Sequence, residues 1–188
     1  MPTGGPEGLS LDGQLVVLSG PADGHASRFA LLPADLSAAA RIVTLPAGFE
    51  YDTLAPDGSV LYLIEHRPAL GPDHYAVRAF DVRALLLAPD EVVDKTELGE
   101  QMSGVPLARA RTDGGIVVAT LYRKGDGEGF VHLLQTRGGY ALCADLPGRV
   151  GPGWSIRLTG GHLEVTDPGG VPRFAVGPED ATVVATTS

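Results

Sequence analysis

The sequence predicts an all-β protein of β-propeller type, with about four blades of four antiparallel strands each, and three observations predict it. A glycine-containing turn recurs four times, at Leu11-Asp12-Gly13, Pro56-Asp57-Gly58, Thr112-Asp113-Gly114 and Leu158-Thr159-Gly160. The glycines Gly13, Gly58, Gly114 and Gly160 stand 45, 56 and 46 positions apart, close to the roughly 40–50 residues of a four-stranded blade. An apolar strand follows each turn, and a repeat made of strands alone selects the propeller among repeat architectures.

The strands can be placed in order within each repeat. After each turn comes a second strand: Leu15-Val16-Val17-Leu18, Val60-Leu61-Tyr62-Leu63-Ile64, Ile116-Val117-Val118-Ala119 and the more polar His162-Leu163-Glu164-Val165. The first three are apolar on both faces, as a strand covered from both sides requires. Third strands follow at Arg28–Leu31, Val77–Phe80, Val131–Leu134 and Pro172–Val176. Fourth strands are expected at Arg41–Leu45, Glu91–Asp94, Tyr140–Ala144 and Thr182–Thr186, mostly beside Pro or Gly, as outer strands tend to be. The expected organisation is one domain over 1–188, with blades at about 6–47, 48–101, 102–149 and 150–188. Asp35 to Arg41 is rich in Ala and Ala79 to Leu87 in helix formers, but both fall inside the repeat and are assigned to strands or their links.

Composition bounds the function classes. The 26 Gly and 15 Pro in 188 residues punctuate the chain with turns, while 44% hydrophobic residues are enough for a substantial core. No apolar run approaches the roughly 20 residues that span a bilayer, and Met1 to Pro6 lacks the basic-then-apolar plan of a signal peptide. The expectation is a soluble chain without membrane insertion, with no compartment assigned. A formal net charge of −9, with 14 scattered basic residues, argues against nucleic acid as a partner. Cys143 is the only cysteine, so no intrachain disulfide forms, and its ordinary role is that of a small hydrophobe.

Two segments carry a family resemblance. Phe130-Val131-His132-Leu133-Leu134-Gln135-Thr136, followed by Ala141-Leu142-Cys143-Ala144-Asp145-Leu146-Pro147, resembles a segment of bacterial WD40-like (TolB-like) propeller proteins, most of which have no assigned function. Ala55-Pro56-Asp57-Gly58-Ser59-Val60-Leu61-Tyr62-Leu63 is similar to the S-P-D-G-x-x-L-Y blade motif of that superfamily. The chain departs from the motif at Leu11 and Thr112, where Pro is usual, and at Thr159, where Asp is usual. The resemblance implies a propeller and little about chemistry. It also implies relatives that are longer, with more blades and often an N-terminal signal or membrane anchor. Three outcomes then compete: four blades closing on themselves, a homodimer joined through open blade edges, or part of a larger ring.

Several residue groups are candidates for binding. Glu65-His66-Arg67 closes one strand and Asp73-His74 precedes the next, so Glu65, His66, Asp73 and His74 bring metal-ligand types close in sequence, although at no established metal spacing. The bland alternative is solvated strand ends. Asp126 and Glu128 alternate with glycines in Lys124–Gly129, in the manner of a cation-binding loop but with too few ligands, and an ordinary connection explains them as well. Trp154 offers either a stacking platform or an aromatic packed between blades. Arg28, Arg78, His132 and Arg173 occupy similar third-strand positions, where they form a cationic ring or pair with carboxylates such as Asp81. Channel-lining residues are expected on the first strands, around Glu50-Tyr51-Asp52, Arg109, Arg111, Ser155 and Arg157.

No nucleophile elbow, metal motif or cofactor motif is present, so no catalytic residue, metal or cofactor is assigned. The expected function is a non-catalytic propeller that binds a protein or a small-molecule ligand through its loops. The alternative is a hydrolase or lyase with its site in the central channel.

Overall fold

The computed structural model describes residues 8–20, 24–94 and 101–186. Apart from one short 3-10 turn at Asp113–Gly115, all its regular structure is β, in four antiparallel sheets. The first sheet holds β1 (Leu15–Ser19), β2 (Ala26–Pro33) and β3 (Arg41–Pro46); the second holds β4 (Phe49–Leu54), β5 (Val60–His66), β6 (Tyr75–Asp81) and β7 (Leu86–Val92). The third holds β8 (Val105–Arg111), β9 (Val117–Arg123), β10 (Glu128–Gln135) and β11 (Tyr140–Arg149); the fourth holds β12 (Ser155–Thr159), β13 (His162–Thr166), β14 (Pro172–Val176) and β15 (Val183–Ala185). Each sheet is a meander, with strands adjacent in sequence hydrogen-bonded in space. The described residues fall into two compact units, one ending at Val92 and one beginning at Val93.

The recurring turn has one geometry in the first three repeats. Ser10, Ala55 and Thr112 each donate their N–H to a carbonyl five residues on, in Leu15, Val60 and Val117. Their own carbonyls accept from Gly13, Gly58 and Gly115, all at positive φ, where a Cβ would be strained. The equivalent glycine in the third repeat is therefore Gly115, one position past the Gly114 read from the sequence, because Thr112 takes the place that Ser10 and Ala55 hold. The fourth repeat departs further: Thr159 pairs directly with His162 across a two-residue Gly160-Gly161 turn, with both glycines at positive φ.

Alternation along the strands builds a core inside each unit. In the first unit Val17, Phe29, Leu31 and Val43 of the first sheet meet Leu54, Leu61, Leu63 and Phe80 of the second. In the second unit Ala119, Leu121, Val131 and Leu133 meet Ile156, Leu163, Val165 and Val176. Facing apolar rows of this kind are how stacked sheets exclude water.

Two expectations need correction. Among the described residues the first sheet has three strands rather than four, and Leu9 reaches β1 as a single bridge to Val16. Strand β7 begins at Leu86, five residues ahead of the expected Glu91, because the Asp81 carboxylate accepts the N–H groups of Arg83 and Ala84 and reverses the chain early. Asp35–Arg41 makes a turn and an irregular link before β3, in keeping with its assignment to the repeat. The expected blade limits at 6 and 188 lie outside the described residues. Among the described residues no helix is long and apolar enough to cross a membrane.

Tyr62 sits in the middle of β5 at 1% exposure, between Thr53 and Ala79, and burial first, then the Asp57 charge, pushes its phenol up to about 12. Tyr62→Ala is expected to cost about 3–5 kcal/mol, the usual range for truncating a large buried aromatic. Urea denaturation of the two proteins measures it; a near-neutral result would contradict the strand assignment.

Candidate functional site

The charged residues singled out at the end of β5 are separated by strand alternation. Leu61, Leu63 and Glu65 share the face that packs on the first sheet, and His66 falls on the opposite face. Glu65 therefore stands where the apolar row of the core ends. It accepts from Arg78 Nη1 at 2.6 Å and from Arg67 Nη2 at 3.2 Å, and Arg67 also bonds Glu91 Oε1 at 2.6 Å. The four side chains form a chain of alternating charge across β5, β6 and β7.

The Arg78 side chain is only 13% exposed, a costly position for a cation unless it is paired and hydrogen-bonded. Beyond Glu65, its Nη2 donates to the carbonyls of Ala88 and Pro89 at 2.7 and 3.3 Å. Those carbonyls are available because the β6–β7 ladder is interrupted there: Arg78 pairs with Glu91 and Phe80 with Leu87, so Ala88, Pro89 and Asp90 lie opposite Ala79 alone. Pro89, lacking an N–H, suits such a break. Burial pushes the Glu65 carboxyl upward, but the hydrogen bonds and charges of Arg78 and Arg67 outweigh it and hold the group below its usual 4.5.

On the other face His66 Nε2 lies 2.9 Å from Glu50 Oε2, with both side chains well exposed. The connecting loop closes with Arg67 N–H on the His74 carbonyl and His74 N–H on the Gly71 carbonyl. Asp73 is exposed; His74 is half-buried with its ring against Gly71, where a Cβ would stand 2.5 Å from Nδ1. Among the described residues no three His, Cys, Asp or Glu side chains are grouped as a metal site.

The other singled-out residues serve their own strands. Asp126 Oδ1 accepts the Glu128 N–H at 2.9 Å, and the Asp126 carbonyl accepts from Arg149, so the glycine-rich segment is a tight turn between β9 and β10. Glu128 is exposed beside it. Trp154 is partly buried on the core of the second unit and stacks on Phe174, with centroids 6.4 Å apart. The third-strand basic residues share no common setting: Arg78 pairs with Glu65 rather than Asp81, Arg173 with Asp167, and His132 is buried edge-on to Tyr122. Among the first-strand residues, Arg157 bonds Glu164 of the neighbouring strand.

Sequence reasoning did not single out Glu91 or the pairing of Glu50 with His66. The signal was present as opposite charges on neighbouring strands, but their pairing depends on a register that only the folded ladder fixes.

TolB from Acinetobacter baumannii superimposes with a TM-score of 0.51 at 14% identity, over 93% of this chain and 41% of its own. The β-propeller domain of the Trilobed protease from Pyrococcus furiosus gives 0.56 at 12% identity, over 94% and 55%. The Cps50 (Swd1) β-propeller domain of Myceliophteria thermophila gives 0.54 at 16% identity, over 95% and 56%. This chain has a β-propeller fold. It spans about half the length of these propeller structures, and identities this low establish the fold alone. No protein-family model and no curated protein matches the sequence.

Two outcomes follow from the site. His66→Ala removes an exposed side-chain hydrogen bond to Glu50 and is expected to change stability by less than about 1 kcal/mol, while His74→Ala, which empties a half-buried position, is expected to cost more than His66→Ala; equal melting temperatures for the two would contradict the placement of His74. Because the Glu65 pKa is depressed on folding, its contribution is present above about pH 4.5 and lost as pH falls through its folded value. Glu65→Gln is expected to destabilise by about 1–2 kcal/mol at pH 7, with the gap to wild type narrowing in acid; a gap independent of pH would contradict the ion pairing.

Proposed function

We propose that the chain is a non-catalytic β-propeller module that binds a protein partner or a small ligand through the charged end of its second sheet. The observation that carries this reading is the network Glu65–Arg78 and Arg67–Glu91, flanked by the exposed His66–Glu50 pair and Asp73. These groups hold one another in place, and Glu65 is kept ionised at neutral pH. A general acid working near pH 7 needs a raised carboxyl pKa, which is the reverse of what Glu65 has. A fixed pattern of half-exposed charges on a rigid sheet end instead favours orientation and rate of encounter with a partner of complementary charge. The fold is compatible with binding and with enzymatic proteins alike, so the reading rests on this site.

The test pairs affinity capture with an activity screen. A species retained by wild type and lost from Arg67→Glu/Asp73→Lys, with both proteins equally folded, is the expected result. Equal retention by the two proteins, or turnover of ester, peptide or glycoside substrates by the wild type, would contradict it.

A further inference from the structure

One end of the first unit is built from four loops that backbone hydrogen bonds join in series. Ala34, in the β2–β3 loop, donates to the Gln14 carbonyl in the turn before β1. Asp12, in that turn, donates to the Pro56 carbonyl of the β4–β5 turn, and Val82, in the β6–β7 turn, donates to the Ser59 carbonyl. All four loops belong to the unit that ends at Val92. They lie at the opposite end of its strands from the Glu65 site, since Val60 pairs with Asp81 here and His66 pairs with Tyr75 there. Leucines stand out from this surface: Leu11, Leu36, Leu85 and Leu86 are between 43% and 71% exposed.

Two of these leucines hold a conformation that suits glycine. Leu36 has φ 56° and Leu85 φ 55°, in the left-handed region where a Cβ is strained. In the neighbouring turns such positions are taken by Gly13 and Gly58. An exposed leucine there costs backbone energy and gains little burial within the fold, so a contact outside the chain accounts for it. The exposed charges around the leucines are mostly acidic, Asp12, Asp35, Asp57 and Asp81 against Arg41 and Arg83. Oδ1 of each aspartate accepts the N–H two residues on, from Gln14, Ser37, Ser59 and Arg83, which fixes the carboxylates in the same loops as the leucines.

We propose that this end docks an amphipathic helix of a partner protein, apolar on the face it presents and flanked by Lys or Arg. Charge complementarity selects that partner, because four fixed carboxylates among the leucines outnumber two guanidiniums. A second copy of the chain would bring the same acidic excess and be repelled, and so would an anionic membrane. The spacing suits a helix. Stacked sheets stand about 10 Å apart, so Leu11 and Leu36 beside the first sheet and Leu85 and Leu86 beside the second make two apolar steps. Residues seven apart on one face of a helix are separated by about 10.5 Å.

The probe is a labelled synthetic amphipathic helix of leucine and lysine, followed by fluorescence anisotropy with the full chain, and a leucine and glutamate helix of the same pattern is the comparison. The expected result is saturable binding of the lysine helix below about 1 mM, weakened by salt, with no binding of the glutamate helix. Leu36→Gly/Leu85→Gly is expected to weaken binding by at least about tenfold at an unchanged melting temperature, because glycine adopts those φ values without strain. Leu11→Ser/Leu86→Ser is expected to weaken it likewise. No binding, equal binding of the two helices, or binding that both leucine variants leave unchanged would overturn the proposal. A glycine variant whose melting temperature falls by several degrees would also overturn it, because the leucines would then serve the fold. Loss of binding in Arg67→Glu/Asp73→Lys would place the contact at the opposite end and overturn it, and leucine-dependent uptake by phosphatidylcholine vesicles would overturn it in favour of a bilayer.

Discussion

Everything described here depends on one constraint, the two-residue period of the extended chain. Leu61 and Leu63 enter the core of the first unit because they are two apart, and the same count carries Glu65 to the edge of that core. The charged network begins where the apolar row ends. On the first sheet the same period sends Phe29 and Leu31 inward and leaves Ala30 and Leu32 on the far side. Core and charged site are two readings of a single alternation.

Burial then decides how the charges behave. Arg78 lies deep enough that pairing with Glu65 alone would leave much of its guanidinium unsatisfied, and the interrupted β6–β7 ladder supplies two backbone carbonyls. The irregularity at Ala88–Asp90 is therefore part of the site. His66 and Glu50, out in solvent, have a pair of a different kind, screened and replaceable.

The fold was legible because its signals are local. A turn glycine at positive φ and an apolar run after it need no knowledge of distant residues, and Gly13 and Gly58 mark their turns correctly. The shift from Gly114 to Gly115 was hidden because Thr112-Asp113-Gly114 has the spacing of the other turns, while the hydrogen bonds start from Thr112. The early start of β7 was hidden because Leu85-Leu86-Leu87-Ala88 has no β-branched residue and reads as helix-compatible, a preference that pairing with β6 overrides. For the site, Glu65 and Arg78 stood out in the sequence as charged residues on apolar strands. That they pair with each other, and that Arg67 reaches Glu91, follows from register across three strands and was not.

Hydrogen exchange resolved by residue tests the alternation and packing account most directly. Amides of β5 and β10, central in four-stranded sheets with core on their faces, are expected to exchange slowest within their units, and those of β3 and β15, at sheet edges, faster. Amides of β5 and β10 that exchange as fast as those of the connecting turns would contradict it.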